Sequence, residues 1–551
     1  MKITVPQSLT ECSARERTLA LLDENSAREL LGPFDRLVSP HLEKQNIVPQ
    51  SDDGVVVMKG TRKAHPCCVI AIEGSFQGGG IGEVSGAKIA SAFELALRDV
   101  ERGKHLDVIV ILDTGGVRLQ EANYGLLAIS EIQQAAVNLQ QYVPIVGIIP
   151  GRIGSFGGMS ITAGLFNALI MTKEARLGLN GPEVIEQEAG IEEVNSRDRK
   201  ATYLRIGSAS RKKNGLIEYL VEDSVEAIQE AVDQARLTKI NQRVTSNEEH
   251  VNELLYQEVE AFTSSEDEER TNDSRGRTWL EVLSDIDSVQ SSRISTVQSG
   301  TMTVSDEKFN LLAVTKDAYH RFPRVRNGEF GLLEGYALAD VIDQWIAADE
   351  TNDQKTPIVA VIDVVSQAYG AQEELLGLHQ SCAAAVHAYA RAREHGHKII
   401  GLVVGKALSA AFLSHGLQAD RLLAFDDPYV QVHVMSKKSA AKVTKRSLTE
   451  LERFTKDVPA MAYDVRSFHK LGATDELIEG ISVEHPTEED VSRVQTLISN
   501  QLADLEAGGL VSEHRLNNAR AKESRAASIE VRVQMEQQWA NESREERGRI
   551  K

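Results

Sequence analysis

Four glycine-bearing turns are the stretches of this chain whose residue types suit chemistry. The first is Asp113-Thr114-Gly115-Gly116-Val117-Arg118, and the second is Gly151-Arg152-Ile153-Gly154-Ser155-Phe156-Gly157-Gly158-Met159. Their counterparts further along are Asp363-Val364-Val365-Ser366-Gln367-Ala368-Tyr369-Gly370 and Gly405-Lys406-Ala407-Leu408-Ser409-Ala410-Ala411. Small residues let main-chain N–H groups approach a ligand closely, and a helix amino terminus adds positive partial charge. Two such turns side by side aim amide protons at one oxygen, which is an oxyanion hole. A single glycine at a strand–helix junction more often only permits a tight turn. A pair repeated in both halves strengthens the functional reading. Ser155 and Tyr369 lie inside these turns, where they are placed to touch a substrate. Arg118, Arg152 and Lys406 flank them; each suits a carboxylate or a phosphate-bearing arm, or equally a surface salt bridge.

The turns need strands in front of them and helices behind. Short apolar runs at Cys67–Glu73, Val108–Asp113 and Val143–Ile149 read as buried strands, and so do Leu311–Thr315, Ile358–Asp363 and Ile399–Val404. Ala87–Arg98, Ala122–Leu139 and Glu373–Arg393 have helical length and spacing. This alternation predicts an α/β architecture with largely parallel sheets. The two blocks also repeat one another. Asp363 ends a strand 250 positions after Asp113, Gly401 follows Gly147 by 254, and Ser409–Gly416 follows Gly157–Gly164 by 252. A duplicated unit predicts two tandem domains related by a pseudo-two-fold, with a cleft where they meet. The expected boundaries are 1–247, a polar linker at 248–277, a second domain at 278–505, and a charged tail at 506–551 read as a solvated helix or partly disordered extension.

Composition removes several alternatives. The chain has 551 residues, and 61 Lys+Arg against 81 Asp+Glu leave a net charge of −20. That balance argues against nucleic acid or an anionic membrane as the main partner, while a local basic pocket remains compatible with it. Cys12, Cys67, Cys68 and Cys382 form neither a disulfide framework nor a Cys-x-x-Cys pair. No apolar core of a signal peptide occupies Met1–Leu22, and no run reaches the ~18 apolar residues of a membrane span, so a cytoplasmic location is expected. Phosphate-cradling Gly-Lys-Ser/Thr, Gly-x-Ser-x-Gly and His-Glu-x-x-His motifs are missing, as are clustered metal ligands. Gln77-Gly78-Gly79-Gly80 follows a strand without the spacing of a dinucleotide fingerprint. His433, alternating with apolar residues, reads as a core histidine.

At these turns the sequence resembles a known family. The run Glu73-Gly74-Ser75-Phe76-Gln77-Gly78-Gly79-Gly80-Ile81-Gly82-Glu83-Val84-Ser85-Gly86-Ala87-Lys88-Ile89, then Thr114–Glu121 and Leu179–Gln187, is similar to carboxyltransferase subunits of crotonase-like fold, and more closely to the beta subunit of biotin-independent malonate decarboxylase. Arg321–Glu329, Ser366–Gly370 with Glu373–Gly377, and Pro459–Asp464 resemble the gamma subunit of the same enzyme. The likeness covers roughly Ala14 to Leu502, so the chain reads as a beta–gamma fusion with two tandem crotonase-like (ClpP/crotonase) domains.

The resemblance implies a malonyl thioester carried on an acyl-carrier protein subunit with a coenzyme-A-like arm, and a separate acetyl/malonyl carrier transferase. It implies no cofactor bound directly, and no metal. Loss of carbon dioxide leaves an enolate whose charge sits on the thioester oxygen, and one good amide donor there is worth ~3 kcal/mol of barrier. By position, Gly157 and Gly158 match one family oxyanion turn, and Ala410 and Ala411 match the other. Gly115, Gly116, Tyr369 and Gly370 lie on the facing turns, and Tyr369 or Ser155 is the candidate proton donor. One departure stands out. Gamma subunits usually show Gly where Ala410 stands, and the extra methyl demands a negative φ there. Two other readings remain: a biotin-dependent carboxyltransferase, although this chain has no Met-Lys-Met biotinylation site of its own, and a non-catalytic scaffold subunit. Assembly into a homo-oligomer is compatible with the sequence.

Overall fold

The computed structural model describes residues 8–239, 243–257, 273–443, 446–457, 461–505 and 511–540. The chain divides into two compact units, one made of Met1–Pro182, Asn195–Asn247 and Arg525–Lys551, the other of Glu183–Val194 and Glu248–Ser524.

The first unit is built on seven strands whose spatial order follows the chain: β1 (Arg28–Leu30), β2 (Val55–Arg62), β3 (His65–Ile72), β4 (Asp107–Ile111), β5 (Ile145–Ile149), β6 (Ala168–Thr172) and β7 (Tyr219–Val221). The β1–β2 and β2–β3 pairs are antiparallel, and every later pair is parallel. Strands β4 to β6 are apolar without alternation because helices cover both faces, which is the pattern of a buried parallel sheet. Helices α1 (Glu83–Glu101), α2 (Ala122–Gln140) and α3 (Gly158–Leu165) follow three of the turns singled out above, and α4 (Arg199–Ile206) and α5 (Ser208–Lys213) follow β6.

The second unit repeats this plan. Strands β8 (Gln290–Ser291), β9 (Val297–Val304), β10 (Glu307–Val314), β11 (Ile358–Val364), β12 (Ile399–Leu408), β13 (Arg421–Phe425) and β15 (Glu476–Ile478) again lie in chain order, with β14 (Gln431–His433) pairing the end of β12. The first two pairings are antiparallel and the rest parallel. Its helices include α6 (Leu332–Ala348), α7 (Leu378–Glu394) and α8 (Ser409–Ser414). The helix expected at Glu373–Arg393 is broken in two: Ala371–Leu376 ends at Gly377, whose φ of 102° is left-handed, and α7 begins there.

Of the linker expected at 248–277, residues 258–272 lie outside the described residues. The helix Arg243–Gln257 occupies its beginning, and the helix Arg275–Leu283 starts at its end. Among the described residues no helix is long and apolar enough to cross a membrane.

The tail departs from the solvated extension expected of it. Val511–Asn517 and Ala519–Ser524 pack on the second unit, where Arg515 donates to the carbonyls of Leu417 and Ala419. The helix α9 (Ala526–Ala540) belongs to the first unit and lies along α1. Its buried face is Ser528, Val531, Met535 and Trp539, a sparse apolar stripe that composition alone hides. Charge fixes its register. Arg525 donates to Glu131 at 2.7 Å with both side chains 1% exposed, and Arg532 reaches Glu131 and Glu94. The Ser528 N–H and hydroxyl donate to Glu83, and the Trp539 indole donates to Asp99. Burial alone would raise the Glu131 carboxyl, but the two guanidiniums outweigh it and hold the group below its usual range. Removing this carboxylate leaves Arg525 buried with no counter-charge. We therefore expect Glu131→Ala to destabilise the first unit by about 3–5 kcal/mol in denaturant unfolding, and to make the chain cleavable after Ser524 in limited proteolysis.

Candidate functional site

Each unit joins two of its turns through one strand-end aspartate. In the first unit Asp113 lies fully buried just past β4. Its Oδ1 accepts the N–H groups of Ile153 (2.6 Å) and Gly154 (3.3 Å), and its Oδ2 pairs with buried Arg17 at 2.9 Å. The carboxylate thus ties the turn after β5 to the turn after β4. Backbone bonds complete the join: Thr114 donates to Gly154, Phe156 donates to Thr114, and Ser155 and Thr114 form a parallel bridge. In the second unit Asp363, at the same place on β11, accepts from the N–H of Lys406 at 3.0 Å and of Gly276 at 3.2 Å.

Close approach of main chains explains the glycine pair in the first unit. Gly116 has φ 100° and Gly157 φ 57°. A Cβ on Gly116 would stand 3.0 Å from both the Gly157 Cα and the Phe156 carbonyl oxygen, so a side chain meets both a clash and a left-handed strain.

Most amides of this turn are already committed. Gly115 donates to Gly78, Gly116 to the Thr114 hydroxyl, and Gly157 to Leu179 at 3.0 Å. Gly158 opens α3, and an N–H at the first position of a helix has no intrahelical acceptor. The structure therefore separates the four glycines by role: Gly115, Gly116 and Gly157 build the turn, and Gly158 presents the donor.

The second unit reproduces this geometry with different residues. Ser409 stands where Gly157 stands in the repeat, and it too is left-handed, with φ 60°; its hydroxyl donates to the Val434 carbonyl at 2.6 Å. Ala410, equivalent to Gly158, is not in the left-handed region, so the methyl that departs from the family pattern is accommodated. Its N–H points at Oε1 of Gln367, 3.3 Å away. Ala410 and Ala411 are both buried. Tyr369 is half-buried, with its phenol hydrogen-bonded to the Ser409 side chain. Burial, with Glu188 and Glu329 adding to it, pushes the phenol above its ordinary value against the opposing Ser409 bond, so the group keeps its proton. Gly370 caps the helix Ala371–Leu376, whose first amide donates to Glu193.

Other expected residues sit differently. Arg118 is not available to a ligand. Its side chain is 1% exposed, paired with Asp53 at 2.7 Å and Glu121 at 3.5 Å, and stacked near Phe76. Ser155 is fully enclosed, and its hydroxyl has no hydrogen-bond partner among the described residues. Arg152 is exposed, 3.9 Å from Glu11, and Lys406 is exposed. His433 is a core residue stacked on Tyr463, and its imidazole is pushed down to about 3 by burial.

Sequence reasoning missed Gln367 and the two aspartate pins as parts of the site. It also missed a buried carboxyl under each turn pair. Glu121 accepts the N–H of Glu83 at the start of α1 (2.7 Å) and a hydroxyl from Ser39; Glu373 accepts that of Leu332 at the start of α6 (3.4 Å). The 252-residue spacing between them was a usable signal. Burial first, then the neighbouring Glu334, raises the Glu373 carboxyl to about 8.

Comparisons with known proteins fit this layout. Residues 10–270 match the carboxyl transferase domain family, and residues 325–539 match the malonate decarboxylase gamma subunit family. The chain is similar to the malonyl-S-ACP:biotin-protein carboxyltransferase MADC of Malonomonas rubra, with 40% identity over 234 residues, 41% of this chain and 74% of that protein. It is also similar to MADD of the same organism, with 37% identity over 186 residues, 33% of this chain and 64% of the relative. A Pseudomonas malonate decarboxylase hetero-tetramer in complex with malonate shares 48% identity, over 47% of this chain and 94% of its own, with a TM-score of 0.44.

The raised Glu373 gives a pH prediction. A carboxyl raised on folding contributes stability that is complete below its unfolded value, near 4.5, and that is lost as pH rises through about 8. Thermal unfolding of the protein should therefore move to lower temperature between pH 5 and pH 8, and Glu373→Gln should remove part of that slope.

Proposed function

Because the chain belongs to the carboxyl transferase family, with a malonate decarboxylase gamma-subunit half following in the same polypeptide, we propose that it decarboxylates a malonyl thioester carried on an acyl-carrier protein. The carbon–carbon bond to the carboxylate breaks, carbon dioxide leaves, and the electron pair passes into an enolate with its charge on the thioester oxygen. The Ala410 and Ala411 amides hold that oxygen, and Tyr369 donates its phenolic proton to the enolate carbon, giving the acetyl thioester. In the first unit the Gly158 amide is the corresponding donor for an oxygen that gains charge. The exposed Lys406, beside the second-unit turn, attracts the anionic substrate.

The observation that carries this reading is the Ala410 N–H. It is directed at a side-chain carbonyl oxygen, that of Gln367, next to a phenol that keeps its proton. A thioester oxygen that takes the place of Gln367 Oε1 gains charge as the reaction proceeds. The hydrogen bond to it therefore strengthens in the transition state and lowers the barrier. The same first step also serves a second reading, favoured by the likeness to MADC and MADD, in which the carboxyl group passes to biotin on another protein. We propose a carrier subunit and a separate loading transferase as partners, with the carrier's coenzyme-A-like arm bringing the substrate.

The test is release of carbon dioxide from malonyl-loaded carrier, measured with and without a biotin carrier. Release without the biotin carrier supports decarboxylation, whereas acetyl thioester formed only with the biotin carrier, with the carboxyl group recovered on biotin, selects the second reading. Gly158→Pro removes the N–H at a helix position where proline is tolerated. It should lower kcat about 10²–10³-fold with thermal unfolding little changed, whereas Gly158→Ala, which keeps the N–H, should stay near the parent rate. Tyr369→Phe should lower kcat while leaving KM unchanged. Undiminished turnover in Gly158→Pro and Tyr369→Phe would remove both groups from the mechanism.

A further inference from the structure

A dense basic patch lies on the first unit, outside the turns. In the nineteen residues from Asn195 to Lys213 there are seven cations and a single acid, Asp198, on a chain whose net charge is −20. Arg197, Arg199, Lys200, Lys212 and Lys213 are exposed and Arg205 is half-buried. Asp198 is occupied in capping α4, where it accepts the Ala201 N–H at 2.9 Å. Among the described residues no carboxylate pairs with any of these six cations; Lys212 reaches only the Glu218 main-chain carbonyl. Some exposed cations elsewhere are matched, as in Lys63–Asp233, Lys173–Glu222 and Arg466–Asp426. In the middle of the patch Leu204 is 62% exposed. A cluster of unpaired cations around one apolar side chain is what an acidic protein surface recognises.

Its place in the fold connects it to the candidate site. The segment 175–179 runs between the patch and the glycine turn and is bonded to both. On one edge Ser155 donates to Arg176, Gly178 to Ser155, and Gly157 to Leu179. On the other edge Leu177 donates to Ile206 at the end of α4, Ser208 at the start of α5 donates to Ala175, and Arg211 anchors α5 through the Leu177 carbonyl. One extended segment therefore separates the basic helices from the turn that presents Gly158.

We propose that α4 and α5 dock the acidic face of the small protein that carries the thioester arm, with Arg197, Arg199, Lys200, Arg205, Lys212 and Lys213 as its contacts. This rests on the reading of the glycine turns as a thioester site. The cations speed encounter and hold the carrier while its arm extends toward Gly158, so they govern carrier binding and take no part in bond breaking.

The experiment compares two charge-reversed chains, R199E/K200E and K212E/K213E, with the parent on three substrates: malonyl-loaded acyl-carrier protein, malonyl-coenzyme A and malonyl-pantetheine. The expected result is a rise of at least tenfold in KM for the carrier substrate, a weaker dependence of that KM on salt, and unchanged kcat and KM for malonyl-pantetheine. An unchanged carrier KM overturns the proposal. A KM that rises as much for malonyl-coenzyme A as for the carrier also overturns it, since the patch would then be reading the arm's phosphates. Losses on all three substrates would mark a folding defect in that variant. Direct binding of unloaded carrier, followed by fluorescence anisotropy, then decides: parent-like affinity in both variants overturns docking. The same measurement separates this proposal from the catalytic one. If the parent turns over none of the three substrates, the thioester reading fails, while carrier binding lost on charge reversal still supports the docking surface.

Discussion

A carboxylate at the end of one strand, accepting main-chain N–H groups from the loop after the next, is the constraint on which each candidate site depends. A tight glycine turn has little side-chain packing to hold it, and its backbone has many conformations open to it. Asp113 removes that freedom by binding Ile153 and Gly154 at once, and Arg17 pairs with the buried carboxylate. Charge-assisted hydrogen bonds of this kind are roughly twice as strong as neutral ones, which suits a position where two loops must be held at fixed separation. Asp363 does the same for Lys406 with a less buried carboxylate. A donor that stabilises developing charge works only if it is already in place, so fixed loops suit the role proposed for them.

The second constraint is the left-handed residue in front of each helix. In the first unit it is Gly157, which adopts φ 57° at no steric cost. In the second it is Ser409, for which the same conformation is strained. The Ser409 hydroxyl compensates through its bond to Val434 and also receives the Tyr369 phenol, so the strained residue is the one that holds the phenol in place. Glycine at this position would relieve the backbone and lose both contacts. The departure from glycine in the second copy thus secures two contacts that glycine could not make.

The parallel strands, the repeat and the turns were legible because they depend on apolar runs and on glycine, both visible in one dimension. The antiparallel strands β2 and β9 were not. Each enters a two-residue hairpin, Lys63–Ala64 in one unit and Ser305–Asp306 in the other, with both residues left-handed and neither pair carrying the Asn-Gly or Asp-Gly signal such turns usually show. Helix α9 was hidden for a similar reason: its anchoring is ionic, and the Arg525 and Arg532 that read as solvent-facing charge are the residues most deeply committed to Glu131. Arg118 misled in the opposite direction. Its place beside a glycine turn suggested a ligand, yet the partner that buries it, Asp53, lies sixty-five positions earlier and gave no sign of itself.

What separates the two copies is the residue behind the helix-opening amide. Gln367 pairs with Phe330 as Val117 pairs with Ile81, and Val117 carries no side-chain oxygen, so the Gly158 N–H faces no equivalent of the Gln367 oxygen. A neutral amide oxygen at 3.3 Å is a weak acceptor, easily exchanged for one that gains negative charge, and it satisfies the buried Ala410 donor until that exchange occurs. An open donor favours an anion that is charged on arrival, as a carboxylate is. A provisionally occupied donor favours an oxygen that becomes charged only during the reaction. The repeat is therefore asymmetric at this donor, occupied by a side-chain oxygen in the second unit and without that partner in the first.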